Sequence, residues 1–424
     1  EPGRNHNRDN TVDNTDYPWA FAECTSRTSR YSGGTTSDYT HAYNLDGTGV
    51  DVIIQDSGIE VGHPEWLTRD GVTTRLKQID WPVESGLSGI YTQGAQHYTD
   101  QYGHGTHCAS TTAGKLYGWA NNADIYAIKI FDTDLYGVSA SFNLMRAWHN
   151  LKKNARPTIV NMSWGYFGTY TNIVGGQWRG ATWTGTSTEA QYGMVERNLN
   201  GGLYTHPIRV TSVDSDIEDC IEAGMILVSA AGNAAHKMDL STGLDYNNFW
   251  TSTTLGNRYY HRGGTPQASS NVICTGAIDY EYTLGQEKSA DFSEKGPRVD
   301  IFAPGYAIQA AIPSGSSLDA NSTTHPDNAS YKIRKLQGTS MASPQVCGIL
   351  TQLVHARPYY PQADCLAWLQ DQAVDNRLND PTVGTPSTDY QNFRALNGAN
   401  NKYLQTPFVS GLKYNFTGGI SFSR

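Results

Sequence analysis

Three short stretches of this 424-residue chain hold residue types that could together make a nucleophile. Asp56 follows an apolar run and precedes Ser57-Gly58. His104 opens the string His104-Gly105-Thr106-His107-Cys108-Ala109. Ser340 stands within Gly338-Thr339-Ser340-Met341-Ala342-Ser343-Pro344. A serine hydroxyl attacks a carbonyl only when a base takes its proton, and a carboxylate can hold that base in place. Taken singly, each residue has a plain structural reading: a turn aspartate, a packed histidine, a helix N-cap. Taken together, in three separate windows, they read as the parts of a nucleophilic hydrolase. The His-x-x-His spacing of His104 and His107 is half a metal site, but the His-Glu-x-x-His zinc pattern is absent.

The elements around these residues read as α/β. Buried strands are predicted at 50–54, 125–131, 158–162, 225–231, 272–278 and 299–302, each an apolar, β-branched run. Asp56 thus falls at the carboxyl end of a strand, where α/β sheets build their sites. A helix capped by Ser139 carries Phe142, Met145, Trp148 and Leu151 on one face. A second, capped by Asp214 or Ser215, turns Ile217, Cys220 and Ile221 inward and closes at Gly224. His104 and Ser340 each open a helix, the latter running to 353 or 354 with Pro344 in its first turn. The backbone N–H of Ser340 then lies at a positive helix end. Strands alternating with helices imply a mostly parallel central sheet covered by helices on both faces.

Three stretches, 166–213, 236–270 and 314–332, are rich in Gly, Thr, Tyr and Ser without a strong period. They read as long surface insertions on a single domain spanning 1–424. Residues 1–48 form an arm and lead-in, polar over 1–16. Residues 382–424 form an extension on or beside the core. Net charge is −9, without an acidic or basic block, which argues against a nucleic-acid surface. No apolar run is long enough for a membrane span. The chain opens at Glu1 without a basic, apolar leader, as expected where a leader or propeptide has been removed. Six cysteines without a Cys-x-x-Cys pair leave the redox compartment open and argue against structural zinc.

The three strings, in the order Asp–His–Ser, resemble those of the subtilisin-like serine proteases (subtilases). That order differs from the chymotrypsin and α/β-hydrolase orders. The likeness runs from about 49 to about 374. It implies a serine endopeptidase with Ser340 as nucleophile, His104 as base and Asp56 as its orienting carboxylate. Val228-Ser229-Ala230-Ala231-Gly232-Asn233 resembles the family's segment whose asparagine donates to the oxyanion. By the same likeness Ser163-Trp164-Gly165 and Ala230-Ala231-Gly232 line the first specificity pocket, and Leu135-Tyr136-Gly137 forms the opposite edge. Trp164 stands where most members have a smaller apolar residue.

Cys108 is similar to the free thiol that lies under the histidine in the proteinase K-like, thiol-dependent branch. The resemblance further implies a Cys274–Cys365 disulfide and a structural calcium held by Asp300 with the carbonyls of Asn271 and Ile273. Glu65 matches a ligand of another calcium site whose loop is shortened here, so it is expected to be idle. The expected partners are protein or peptide substrates and a propeptide or protein inhibitor, acting on a monomer. The expected setting is secreted or extracellular, association with a virion or cell surface included. A rival reading is an inactive relative serving as a binding module.

Overall fold

The computed structural model describes residues 19–28, 43–132, 135–170, 173–185, 204–283, 286–381 and 394–408. The apolar runs fold side by side as parallel strands. Asp51–Asp56 lies between Asp124–Lys129 and Thr158–Met162. Beyond Thr158–Met162 come Ile226–Ala230, Ile273–Thr283 and Ile301–Pro304, each parallel to its neighbour. These strands form the middle of an 11-stranded sheet.

Successive side chains serve opposite layers. Val52 and Ile54 join one apolar cluster while Ile53 joins the other, and Ile226 and Val228 are split from Leu227 in the same way. The His104–Ala113 and Thr339–Ala356 helices fill the first layer. Val138–Leu151 and Thr211–Glu222 fill the second. A strand buried on both faces has no polar alternation, which is why these strands read as unbroken apolar runs.

Two helix starts differ from expectation. Val138–Leu151 begins after Gly137, which puts Ser139 inside the first turn. Thr211–Glu222 begins before the expected caps, and Asp214 lies within it. The Asp214 carboxylate instead accepts from Arg209 at 2.9 Å, from the Thr265 hydroxyl at 2.6 Å and from the Ser269 hydroxyl.

The first two insertions fold together. Ile173–Trp178 and Ala181–Thr184 from one join Phe249–Ser252 and Gly256–Tyr259 from the other in a four-stranded antiparallel sheet. Ile173, Trp183, Trp250 and Tyr260 form its small core. Phe167–Tyr170 and Tyr204–Pro207 pair as a separate ribbon. Part of the third insertion, Thr323–His325, pairs with Asn328–Leu336, which pairs in turn with Ile308–Ile312.

The two ends of the described chain are built into the core. The expected polar arm, 1–16, lies outside the described residues, but Trp19–Cys24 is a fully buried helix. Phe21 meets Trp119 edge-on at 4.5 Å. Lys402–Tyr403 adds a strand beside Ile301–Pro304. Arg377 ties these ends together. Its guanidinium bridges the buried carboxylates of Glu23 and Glu287 and sits 3.9 Å over the Tyr403 ring. Truncating Arg377 strands two buried acids, so Arg377→Met is expected to cost about 3–5 kcal/mol. Urea unfolding of the two proteins measures it.

Candidate active site

Asp56 ends its strand fully buried, and its Oδ1 accepts the Ser57 N–H at 2.7 Å. His104 is the first residue of its helix, and its Nδ1 lies 2.9 and 3.0 Å from the two Asp56 carboxylate oxygens. An Nδ1–H donated to Asp56 leaves Nε2 free as a base. Burial, the largest single influence, pulls the imidazole pKa down, but the Asp56 carboxylate and the Cys108 sulfur together hold it well above the ordinary value of 6.5.

A second buried acid, unrecognised in the sequence, fixes where the histidine helix starts. Asp100 Oδ1 accepts from the Ser57 hydroxyl at 2.8 Å and from the Gly103 N–H at 2.7 Å. Its Oδ2 accepts from the Thr106 N–H at 2.9 Å and the Thr106 hydroxyl at 2.6 Å. The Ser57 hydroxyl in turn accepts the Gly105 N–H at 2.9 Å. Strand end and helix start are thereby laced together. Any Cβ at residue 105 would sit 2.2 Å from the Gly58 carbonyl oxygen and 3.1 Å from the Asp56 Cβ.

Ser340 lies in the first turn of its helix, and its carbonyl accepts from the Ser163 hydroxyl at 2.9 Å. Asn161 and Ser343 extend that lattice beneath it. The Ser340 hydroxyl donates to the Ser163 carbonyl at 3.1 Å. Among the described residues it makes no hydrogen bond to His104, although both line one cavity. The side chain of Asn233 has its oxygen pinned by the Thr339 N–H and hydroxyl, both at 2.9 Å. With the oxygen so occupied, Nδ2 remains as a donor at the cavity wall. Cys108 lies as expected, fully buried, with Sγ 3.9 Å from His104 Nδ1 and 3.4 Å from the Ser340 carbonyl oxygen. His107 has a structural place: its Nε2 meets the carbonyl oxygens of Ile308 and Arg334 at 3.0 and 3.1 Å.

The cavity holds about 570 Å³. It brings His104, Ser340 and Asn233 together with Ser163, Trp164, Gly165, Ala230 and Gly232. Trp164 is both wall and packing: its Nε1 donates to Gln55 at 3.1 Å and its ring stands edge-on to Tyr166 at 5.8 Å. Ala231 is buried behind the wall. Leu135, Tyr136 and Gly137 do not line the cavity. Tyr136 faces the core beneath, and its N–H is held by the Lys129 carbonyl at 3.0 Å. Phe131, Thr205, His206, Gln267 and Glu294 line it without having been expected. Their windows carry no chemical motif. Thr205 and His206 arrive from the first insertion, and Gln267 from the second.

A family model described as the subtilase family matches residues 47–400. This chain belongs to the subtilase family. A subtilase is a serine endopeptidase that acts on proteins. Similar curated proteins include subtilisin-like proteinase Mp1 of Magnaporthiopsis poae, 26% identical over 90% of this chain and 70% of that protein. Subtilisin-like protease 8 of Arthroderma benhamiae is 27% identical over 90% of this chain and 61% of its own length. Among solved structures, a cold-adapted subtilisin-like serine proteinase matches with a TM-score of 0.55 at 19% identity, covering 92% of this chain and 97% of that one. That match shows the subtilisin-like fold.

In this subtilase the Asp300 carboxylate and the Cys365 thiol have partners within the chain. Asp300 Oδ2 accepts the Cys274 N–H and an Arg298 N–H, each at 2.8 Å. The same guanidinium donates to the carbonyls of Ser269 at 2.9 Å and Val272 at 2.8 Å. The Asn271 carbonyl accepts from Gln362 at 2.7 Å. Asp300 is thus paired with a cation that belongs to the chain. Cys274 and Cys365 are not bridged; all six cysteines are free and buried. The Cys365 thiol points at the Tyr360 carbonyl instead, at 3.9 Å.

Glu65 is not idle. It accepts from the Leu116 N–H at 3.0 Å and the Ser110 hydroxyl at 3.1 Å, and pairs with His325 at 3.1 Å.

If Arg298 serves as the cation at Asp300, the response of melting temperature to added calcium is the same in the native protein and in Asp300→Asn. Calcium titration by differential scanning fluorimetry tests this. Organomercurials are expected to inactivate the protein slowly through buried Cys108, and Cys108→Ala to resist them. Residual activity against time decides.

Proposed function

We propose that Ser340, His104 and Asp56 form the hydrolytic triad of this chain, with Asn233 Nδ2 and the Ser340 N–H as oxyanion donors. The observation that carries the reading is the double contact of His104 Nδ1 with Asp56, in a cavity shared with Ser340 and the pinned Asn233 amide.

A turn about the Ser340 Cα–Cβ bond moves the hydroxyl from the Ser163 carbonyl toward His104. His104 Nε2 takes the proton as Ser340 Oγ bonds to the scissile carbonyl carbon. The charge that develops on the carbonyl oxygen falls between Asn233 Nδ2 and the helix N-terminus. His104 then hands the proton to the departing amine, leaving an acyl-enzyme. Water, deprotonated by the same imidazole, releases the acid and restores the serine. Asp56 stays ionised and stabilises the imidazolium.

Peptide substrates would lie extended along 163–165, pairing backbone to backbone. A propeptide or protein inhibitor would compete for the same edge. One chain supplies every group named, which supports a monomeric working unit. A secreted or extracellular setting rests on the family resemblance, and no helix among the described residues is long and apolar enough to cross a membrane.

Since the base must be neutral and its pKa is raised, kcat/KM is expected to climb with pH along a limb centred above 6.5. Asn233→Ala is expected to lower kcat by about 10²–10³, the scale known for loss of such a donor in subtilisin, a member of this family. Steady-state kinetics on a quenched peptide across pH measures both. An inert binding module would show neither effect, and its Ser340 would not be labelled by a fluorophosphonate.

A further inference from the structure

The cavity beside Ser340 contains an acid that the chemistry above leaves unused. Glu294 lines it at 3% exposure. Its carboxyl group rests against the wall residue Gly232, where a Cβ would stand 2.7 Å from Cδ and Oε1. Gly232 has a φ of +117°, and the absence of a side chain there leaves room for the acid. Oε2 has no hydrogen-bond partner, and among the described residues no donor or cation pairs with this side chain. Gln267, from the second insertion, lines the same cavity, and its Oε1 is also buried without a partner.

Unpaired buried acceptors are costly, and a native protein rarely keeps two in one cavity without use for them. Burial alone pushes the Glu294 carboxyl up to about 8. The charged or titratable neighbours do not relieve it. Lys295, next in sequence, makes no contribution to that shift. His206, on the cavity wall, is held at about 3 by burial and is neutral. The Cys274 thiol is pushed far up by burial and stays protonated.

What the cavity lacks is a ligand bringing several N–H donors and a positive charge. Its place is fixed by the reaction. It opens between Ser163–Gly165 and Ala230–Gly232 next to the nucleophile, where the side chain on the acyl side of the cleaved bond must fall. Trp164 and Tyr166 offer aromatic surface to a methylene stem.

Building on the triad reading, we propose that this pocket selects lysine or arginine on the acyl side of the scissile bond, with Glu294 as the carboxylate and Gln267 as a second acceptor. Glu294 releases its proton to solvent as the cation enters, and the bound pair is charge-neutral. Occupancy by a basic side chain is therefore favoured more strongly as pH rises toward and past the carboxyl's own pKa.

The test uses quenched peptides differing only at that residue: Lys, Arg, Phe or Leu. The native protein is expected to cleave the Lys and Arg peptides at a kcat/KM about tenfold or more above the Phe and Leu peptides. That ratio should grow between about pH 6 and pH 9. In Glu294→Gln the ratio should collapse by about tenfold or more and lose its pH dependence. Benzamidine, a guanidinium-like probe, should inhibit the native protein competitively and the variant far less. Fluorophosphonate labelling of Ser340 establishes that the variant is assembled. A native preference for Phe or Leu, or a ratio unchanged in Glu294→Gln, overturns the specificity while the triad stands. Absence of cleavage of every peptide together with absence of labelling overturns both.

Discussion

The site depends on how closely a strand end and a helix start can approach. Where Asp56 meets His104, the backbones come so near that residue 105 has no space for a side chain. That contact sets the histidine at bonding distance from both oxygens of a buried carboxylate. Asp100 holds the approach with bonds to residues 57, 103 and 106. Its carboxyl is pushed up by burial, and the donors around it work against that. The imidazole therefore owes its orientation to two acids: one it touches, and one that holds the backbone on which it stands. Pre-set geometry of this kind lowers the reorganisation needed when the proton moves.

The same economy operates on the far side of Ser340. Thr339 uses its hydroxyl twice, accepting from the Gly232 N–H at 3.0 Å and donating to Asn233 at 2.9 Å. The asparagine cannot flip without breaking two bonds, so its donor faces the place where negative charge would grow. At Asp300 the Arg298 guanidinium ties the local loop together. It joins a carboxylate to two loop carbonyls, and it is covalently part of the chain and cannot be lost by dilution.

Much of this was legible in the sequence. The strands 158–162 and 225–231 fall within a residue of their observed bounds, because runs such as Thr158–Met162 have one structural solution. The strings around His104, Ser340 and Asn233 converge on one cavity, with Asp56 buried behind His104, because each is bound to a particular backbone turn. The rest was hidden for physical reasons. Glu294, Gln267 and Asp100 sit in irregular segments, and an acid's burial is a property of distant neighbours that its own window does not carry. The calcium and disulfide expectations came from the family resemblance alone. They transferred Asp300, Cys274 and Cys365 by position, while Arg298, which changes the local charge balance, lay outside the motif. That the first two insertions share a sheet was not visible, because short strands such as Ile173–Trp178 show too little pattern to reveal a distant partner such as Phe249–Ser252.

The shared sheet of those two insertions has an evolutionary consequence. Ile173–Trp178 finds its partners in both its own hairpin and Phe249–Ser252. A chimaera that exchanged only one segment with a relative would leave an unpaired edge open to aggregation. It would also displace one of two cavity walls, since Thr205 and Gln267 arrive from different segments. The pair must therefore be inherited as a unit, and divergence in what the pocket accepts is constrained to move through both halves at once.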